Sequence, residues 1–96
     1  MLVLITYDVS TQTAEGKKRL RQVAKQCVNY GQRVQNSVFE CVLDATQCAK
    51  VKNILLKIID VEKDSLRFYY LGNNYQNKVE HIGAKQSFSV EDTLIL

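Results

Sequence analysis

Asp8 is the residue with the clearest potential for chemistry, because it ends the first apolar run of the chain, LVLITY at residues 2–7. Runs rich in Leu, Val and Ile favour a mostly buried strand, so residues 1–7 are predicted as a strand whose end places Asp8 at a solvent-facing rim. A carboxylate at such a rim is well placed to bind a divalent cation. The alternative is structural, since Asp8 and Ser10 can also lead into a helix as turn or capping residues.

The second informative feature is positive charge concentrated in residues 17–33, a segment without an acidic residue. Its cations are Lys17, Lys18, Arg19, Arg21, Lys25 and Arg33. A solvated helix face usually mixes both signs to gain i,i+4 pairs, whereas nucleic-acid-binding proteins often gather cations on one element. The pattern therefore favours phosphate binding over a merely solvated face, and nucleic acid as a partner.

Thiol and imidazole ligands are scarce. The chain has three widely spaced cysteines, Cys27, Cys41 and Cys48, and one histidine, His81. An odd number of cysteines without a CxxC pair argues against a disulfide framework and against a structural zinc site. We therefore predict buried free thiols, and a solvated or locally hydrogen-bonded imidazole in preference to a general base.

Length and composition place the chain among small globular domains. Its 96 residues, 46% of them hydrophobic, are enough for one compact domain with a modest core. No segment approaches the roughly 20 apolar residues of a membrane span, and the N-terminus lacks the features of a signal peptide. We expect a soluble, cytoplasmic protein with no membrane partner.

Periodicity predicts alternating elements that position these residues. A helix is predicted over residues 14–30, with Ser10, Thr11 and Thr13 as candidate N-caps, and a second helix over residues 45–59. Each has an apolar stripe. Strands are predicted over residues 64–72 and, more weakly, 78–82, with a short apolar end at residues 93–96. The stripe of the first helix consists of Leu20, Val23, Ala24, Cys27 and Val28.

The segment between the two helices leaves two topologies open. If residues 33–43 form one long strand, the fold is a small three-layer α/β unit. If that strand breaks near Asn36 and Ser37, the order becomes βαββαβ, the split ferredoxin-like arrangement. Asn-Ser is a weak turn signal because it lacks glycine.

Four segments carry a resemblance to a known family: ITYDVS at residues 5–10, GQRVQNSVFEC at 31–41, DSLRFYYLG at 64–72 and VEHIGAK at 79–85. In this order and chain length they resemble the second family of CRISPR-associated proteins, the small adaptation subunit often described as an endonuclease. VQNSVFE after a basic helix is the most specific of these matches. The pattern of these segments is similar to that of the branch found with type I-C systems.

The resemblance implies an α+β fold, a ferredoxin-like βαββαβ sandwich with one or more extra C-terminal strands that forms a homodimer. It favours the strand break near Asn36 and Ser37. Residues 1–96 would form a single domain, with residues 1–78 as the core and residues 79–96 pairing with the partner protomer or with the CRISPR integrase subunit.

The resemblance also implies metal-dependent cleavage of RNA or double-stranded DNA, and a role as the DNA-binding centre of the spacer-integration complex. Asp8 falls on the family's metal-binding and catalytic position. The accessory positions fall on Tyr7, Ser37 and Phe39, and the family's arginines on Arg19 and Arg33. Because one carboxylate cannot complete an octahedral oxygen shell, one Mg²⁺ or Mn²⁺ would be shared by the two Asp8 residues of the dimer, while the basic helix holds flanking phosphates.

Three other functions stay open. A non-catalytic DNA-binding scaffold for the integrase needs only the basic stripe, since backbone recognition uses Lys and Arg. A toxin-type ribonuclease of similar fold would use the same region of the first strand. An RNA-recognition domain is disfavoured, because the adjacent Tyr69 and Tyr70 face opposite sides of their strand and cannot both stack bases.

Overall fold

The computed structural model describes residues 1–71 and 78–84. Its elements are β1 (Leu2–Asp8), α1 (Ala14–Cys27), β2 (Gly31–Gln35), β3 (Val38–Val42), α2 (Ala45–Ile58), β4 (Ser65–Leu71) and β5 (Lys78–Gly83). Within the described residues the strands form one antiparallel sheet in the order β2-β3-β1-β4-β5. The predicted α+β, βαββαβ order with an extra strand is confirmed, and the three-layer alternative is not adopted.

The strand break that the resemblance favoured is present. β2 ends at Gln35 and β3 begins at Val38, so Asn36 and Ser37 form the turn between them. The turn reaches back to β1, where the Tyr7 amide donates to the Ser37 carbonyl at 2.9 Å. The β2–β3 turn is thereby fixed to the end of β1 that carries Asp8.

Helix α1 begins after a cap that the sequence predicted and ends earlier than expected. The Thr13 side chain accepts from the Gly16 amide at 3.0 Å. A Cβ on Gly16 would lie 1.8 Å from the Ser10 carbonyl oxygen, so this position requires glycine. The helix ends at Cys27 because the Tyr30 amide bonds to the Cys27 carbonyl, an i to i+3 contact that closes a turn instead of continuing the helix.

The core lies between one face of the sheet and the two helices. Along β1 the residues alternate, with Val3, Ile5 and Tyr7 buried and the intervening residues more exposed. The buried side chains of β3, β4 and both helices complete this cluster, as do Cys27, Cys41 and Cys48, which are free thiols as predicted. Asp8 consequently lies on the sheet face that the helices do not cover.

The last described strand pairs within its own chain. β5 runs antiparallel to β4, with Ser65 opposite Gly83 and Tyr69 opposite Val79. β5 thus covers the edge that β4 would otherwise expose. The expectation that residues 79–82 also add to the sheet of another chain stays a prediction. The predicted apolar end at residues 93–96 lies outside the described residues. No helix among the described residues is long and apolar enough to cross a membrane.

Candidate metal and nucleic-acid site

Asp8 is exposed at the end of β1, directly opposite Ser65 of β4. Its carboxylate is the ligand type that Mg²⁺ and Mn²⁺ prefer. Within residues 1–71 and 78–84, no group of three or more His, Cys, Asp or Glu side chains is gathered to hold a metal. The donor therefore fits a hard cation in kind, but the described residues gather fewer ligands around it than such an ion takes.

His81 lies on the same face of the sheet as Asp8, on the strand beyond Ser65. Its Nε2 is 2.7 Å from the Ser65 Oγ, so the prediction of a locally hydrogen-bonded imidazole is confirmed. Burial and the nearby charge of Arg67 lower the pKa of His81, which favours the neutral ring at pH 7. His81 is thus hydrogen-bonded to Ser65 and lies two strands away from Asp8 in the sheet.

A buried polar network lies behind this face, centred on Asp64. The Asp64 side chain is fully buried and accepts from the Tyr7 hydroxyl. It also accepts from Arg19, with Nε at 2.8 Å and Nη2 at 3.2 Å on its two oxygens. The Asp60 amide donates to it at 3.0 Å. Every oxygen of this buried carboxylate is therefore hydrogen-bonded, as its burial demands.

The network fixes the protonation of its members. Burial acts to raise the pKa of Asp64, but the hydrogen bonds from Arg19 and Tyr7 outweigh it and hold that pKa below its ordinary value. Burial, together with the bond to Asp64, raises the pKa of Tyr7 well above its ordinary range. Asp64 is consequently ionised and Tyr7 is a neutral donor at physiological pH.

Two sequence-predicted site residues belong to this network. Tyr7 was expected beside the metal position and Arg19 among the phosphate-binding cations. Because neighbouring residues of a strand face opposite sides, the Tyr7 side chain enters the core while Asp8 faces away from it. The Arg19 guanidinium is directed to Asp64 instead of to the surface. Sequence reasoning missed Asp64, although an acid just before a buried strand in a chain with a basic helix was a usable signal.

The accessory residues Ser37, Phe39 and Arg33 gather at the β2–β3 turn. Phe39 is fully buried opposite Ile5, and the Arg33 guanidinium lies 5.7 Å from the centroid of its ring. Arg33 also donates from Nε and Nη2 to the Asn36 carbonyl, at 2.8 and 2.5 Å. Phe39 and Asn36 therefore orient Arg33 next to the turn whose Ser37 carbonyl holds the Tyr7 backbone.

An open groove between α1 and β2 collects most of the predicted phosphate-binding cations. Its lining is Lys17, Leu20, Arg21, Ala24, Lys25, Val28 and Arg33, hereafter the α1–β2 groove. Arg19 pairs with Asp64 and Lys52 pairs with Glu80, and neither of these ion pairs involves a cation of the groove. Lys18 is exposed outside the groove. The structure thus divides the basic segment into groove residues, one exposed lysine and one buried-network arginine.

Comparison with known proteins agrees with this architecture. The family model for CRISPR associated protein Cas2 matches residues 1–79. The chain is 67% identical over 95 residues to a CRISPR-associated endonuclease Cas2 of Halalkalibacterium halodurans, covering 99% of each chain. It is 62% identical over 96 residues to a CRISPR-associated endoribonuclease Cas2 of Nitratidesulfovibrio vulgaris, covering 100% of this chain and 94% of the relative.

A solved structure is similar as well. The crystal structure of Streptococcus pyogenes Cas2 at pH 6.5 superposes with a TM-score of 0.74 at 59% identity, covering 79% of this chain and 92% of that one. The branch found with type I-C systems stays a prediction. The family model, the identities over nearly the whole chain and the shared fold agree, and the chain belongs to the CRISPR associated protein Cas2 family.

Proposed function

We propose that the chain is a CRISPR adaptation protein that works as a homodimer, combining a metal-dependent endonuclease with the DNA-binding core of the spacer-integration complex. Its reaction is hydrolysis of phosphodiester bonds in RNA or double-stranded DNA. The observation that carries the proposal is the exposed Asp8 at the end of β1, on the sheet face that the helices leave open. Relatives named endonuclease and endoribonuclease support the reaction class.

The open sheet face supports the dimer. A two-fold axis near the end of β1 would bring two Asp8 carboxylates together, which would add a second carboxylate ligand to the one that the described residues of a single chain place there. A Mg²⁺ or Mn²⁺ ion held there would stabilise negative charge on a scissile phosphate and lower the pKa of a water. The Asp8 side chains hold and centre the ion, and like-charge repulsion between them makes the site dependent on it.

The α1–β2 groove would hold the flanking backbone. Lys17, Arg21 and Lys25 approach it from α1, and Arg33 from β2. These cations carry no base-reading geometry, so we expect binding that depends on salt more than on sequence. Arg33 is pre-oriented by the Asn36 carbonyl, which lowers the entropic cost of fixing its guanidinium on a phosphate.

A second candidate function rests on the scarcity of proton-transfer groups. Each chain would contribute one Asp8 carboxylate to the site, and the His81 imidazole is already hydrogen-bonded to the Ser65 hydroxyl. A dimer that binds duplex DNA through its grooves and carries the CRISPR integrase subunit needs neither group. In this function the protein is a non-catalytic scaffold, and Asp8 contributes to the dimer contact instead of to cleavage.

A nuclease assay separates the two functions. Wild-type protein, Asp8→Ala and the exposed-acid control Glu62→Ala are assayed on RNA and on duplex DNA with Mg²⁺, Mn²⁺ or EDTA. We expect Asp8→Ala and EDTA to abolish cleavage, while Glu62→Ala cleaves like wild type and Asp8→Ala still binds DNA. Undiminished cleavage by pure Asp8→Ala would refute the catalytic assignment. DNA binding without cleavage by any of the proteins would favour the scaffold.

A truncation tests the partner. Removing residues 85–96 keeps β5 and the bond from the Ala84 amide to the Asp64 carbonyl at 2.9 Å. We expect a folded dimer that fails to capture the integrase subunit in size-exclusion light scattering. Full capture by the truncated chain would show that the C-terminal residues are not the contact.

A further inference from the structure

The buried carboxylate of Asp64 joins three parts of the fold. Its side chain accepts from Tyr7 of β1, from Arg19 of α1 and from the amide of Asp60 in the turn before β4. Asp64 is the one acidic side chain among the described residues that is fully buried, at 0% exposure. Its own carbonyl oxygen accepts from the Ala84 amide after β5. A group with this many partners restrains the relative positions of all the elements that it contacts.

The network lies directly behind the candidate metal position. Asp8 is opposite Ser65 in the β1–β4 ladder, and the residue preceding each of them belongs to the network. Tyr7 precedes Asp8, Asp64 precedes Ser65, and the two side chains bond to each other on the helix side of the sheet. Neighbouring residues of a strand face opposite sides of the sheet. The bond between Tyr7 and Asp64 therefore ties β1 to the start of β4 on the helix side, directly behind Asp8 and Ser65 on the opposite face.

Arg19 is committed to this network. Its Nε and Nη2 both donate to Asp64, and its side chain is 17% exposed. Moving the guanidinium to a phosphate would leave a buried, ionised carboxylate without its counter-charge, which is strongly unfavourable. Arg21, two residues further along the same helix, is exposed and lines the α1–β2 groove. Substituting each arginine in turn therefore compares a cation paired with Asp64 with a cation of the same helix that lines the groove.

We propose that Asp64 is a positioning residue for the Asp8 site: through Tyr7 and Arg19 it fixes the end of β1, and Arg19 acts on cleavage through Asp64 and not through a phosphate contact. This inference deepens the proposed function and rests on Asp8 binding a metal. Displacing a reacting group by about 1 Å can cost a hundredfold in rate, so a restraint on the strand end affects turnover more than substrate affinity.

The first experiment compares Arg19→Gln, Arg21→Gln and the control Lys50→Gln, an exposed lysine of α2 outside the groove. Duplex DNA affinity is measured from 50 to 300 mM salt, with kcat and KM on the cleaved substrate. We expect Arg21→Gln to lower the slope of log affinity against log salt by roughly 0.9, the value for one lost phosphate contact. Arg19→Gln should keep the wild-type slope and KM and lower kcat by at least about tenfold.

The second experiment has a readout apart from activity. Mn²⁺ binding is followed by electron paramagnetic resonance in wild type, Tyr7→Phe, Asp64→Asn and Val51→Ala. Val51 is buried in α2 and is not one of the hydrogen-bonded members of the network, so it serves as a matched core variant. Each protein is measured below its own unfolding transition. We expect Tyr7→Phe and Asp64→Asn to weaken Mn²⁺ binding about tenfold, comparable to loss of an outer-shell partner, and Val51→Ala to bind like wild type.

The outcomes separate this inference from the proposed function. Wild-type Mn²⁺ affinity in Tyr7→Phe and Asp64→Asn would overturn the inference, and so would a salt slope in Arg19→Gln as low as in Arg21→Gln. Mn²⁺ binding that survives Asp8→Ala would instead remove the proposed metal site itself. Tyr7→Phe deletes one hydroxyl, so it keeps the test decisive where Asp64→Asn fails to fold.

Discussion

Arg19 Nε lies 2.8 Å from Asp64 Oδ2, which joins a cation of the basic helix to a fully buried acid. This pair changes the meaning of the charge concentrated in residues 17–33. Part of that charge faces the α1–β2 groove, and part stabilises the core beneath Asp8. The cations of this segment therefore do not form a single binding surface, and the role of each one has to be inferred from its own contacts.

The first prediction concerns stability. Asp64→Ala leaves Arg19 without its counter-charge and should lower the free energy of unfolding at pH 7 by about 3 to 5 kcal/mol. The pKa of Asp64 in the folded state lies below its ordinary value. The contribution of Asp64 to the free energy of unfolding is therefore fully present above the ordinary pKa of about 3.9, and it is lost as the pH falls through the pKa of the folded state. Urea unfolding between pH 3 and pH 8 measures this difference.

The control for that experiment is Glu62→Ala, which removes an exposed acid from the same turn. The stability difference between wild type and Asp64→Ala should be constant from pH 5 to pH 8 and shrink below about pH 4. A difference that stays constant down to pH 3, or an equal loss in Glu62→Ala, would contradict the assignment of a buried ion pair.

The second prediction concerns two adjacent lysines. Lys17 lines the α1–β2 groove and Lys18 is exposed outside it. Lys17→Glu should reduce duplex affinity and lower the salt slope by roughly 0.9, whereas Lys18→Glu, with the same change in net charge, should change the slope much less. Fluorescence anisotropy over a salt series measures both. Identical slopes in the two variants would mean that net charge, and not the groove, governs binding.

The third prediction concerns the contact between Arg33 and Phe39. The guanidinium lies over the ring at 5.7 Å, a distance at which exposed pairs contribute about 0.5 to 1 kcal/mol. A double-mutant cycle of Arg33→Gln and Phe39→Leu, followed by urea unfolding, should return a coupling energy of that size. Strict additivity of the two variants would show that Phe39 acts only by filling the core and does not orient Arg33.

The fourth prediction concerns the thiols. Burial raises the pKa of Cys27 to about 12, with a smaller effect of Cys41, and burial also raises the pKa of Cys41. Since the thiolate is the reactive form, both thiols should alkylate at least about a hundredfold more slowly at pH 8 in the native protein than in urea. Site-resolved mass spectrometry after iodoacetamide treatment tests this. Rapid native labelling of Cys27 would contradict the buried position.

Much of the fold follows from the sequence because its signals are local. The apolar run before Asp8, the stripe of α1 and the Thr13 cap each depend on neighbours in sequence. Each is present in the structure, except that Val28 of the predicted stripe lies just beyond α1 and is exposed. The strand break at Asn36 and Ser37 was undecided from periodicity, since a turn without glycine has a weak signature. Only the family resemblance favoured it.

The site was predicted less completely because its contacts join distant residues. Asp8 at a strand end could be identified from the pattern of the strand alone. The bond between Tyr7 and Asp64 spans 57 residues, and no periodicity encodes such a pairing. Arg19 and Arg21 look equivalent in the sequence, yet helical geometry turns one to the core and leaves the other exposed.

The most direct test of the account is the stoichiometry of Mn²⁺ on the dimer, measured by electron paramagnetic resonance together with light scattering. The shared site predicts one tightly bound ion per two chains, lost in Asp8→Ala while the dimer persists. One ion per chain, or tight binding that survives Asp8→Ala, would contradict a metal held between two Asp8 carboxylates.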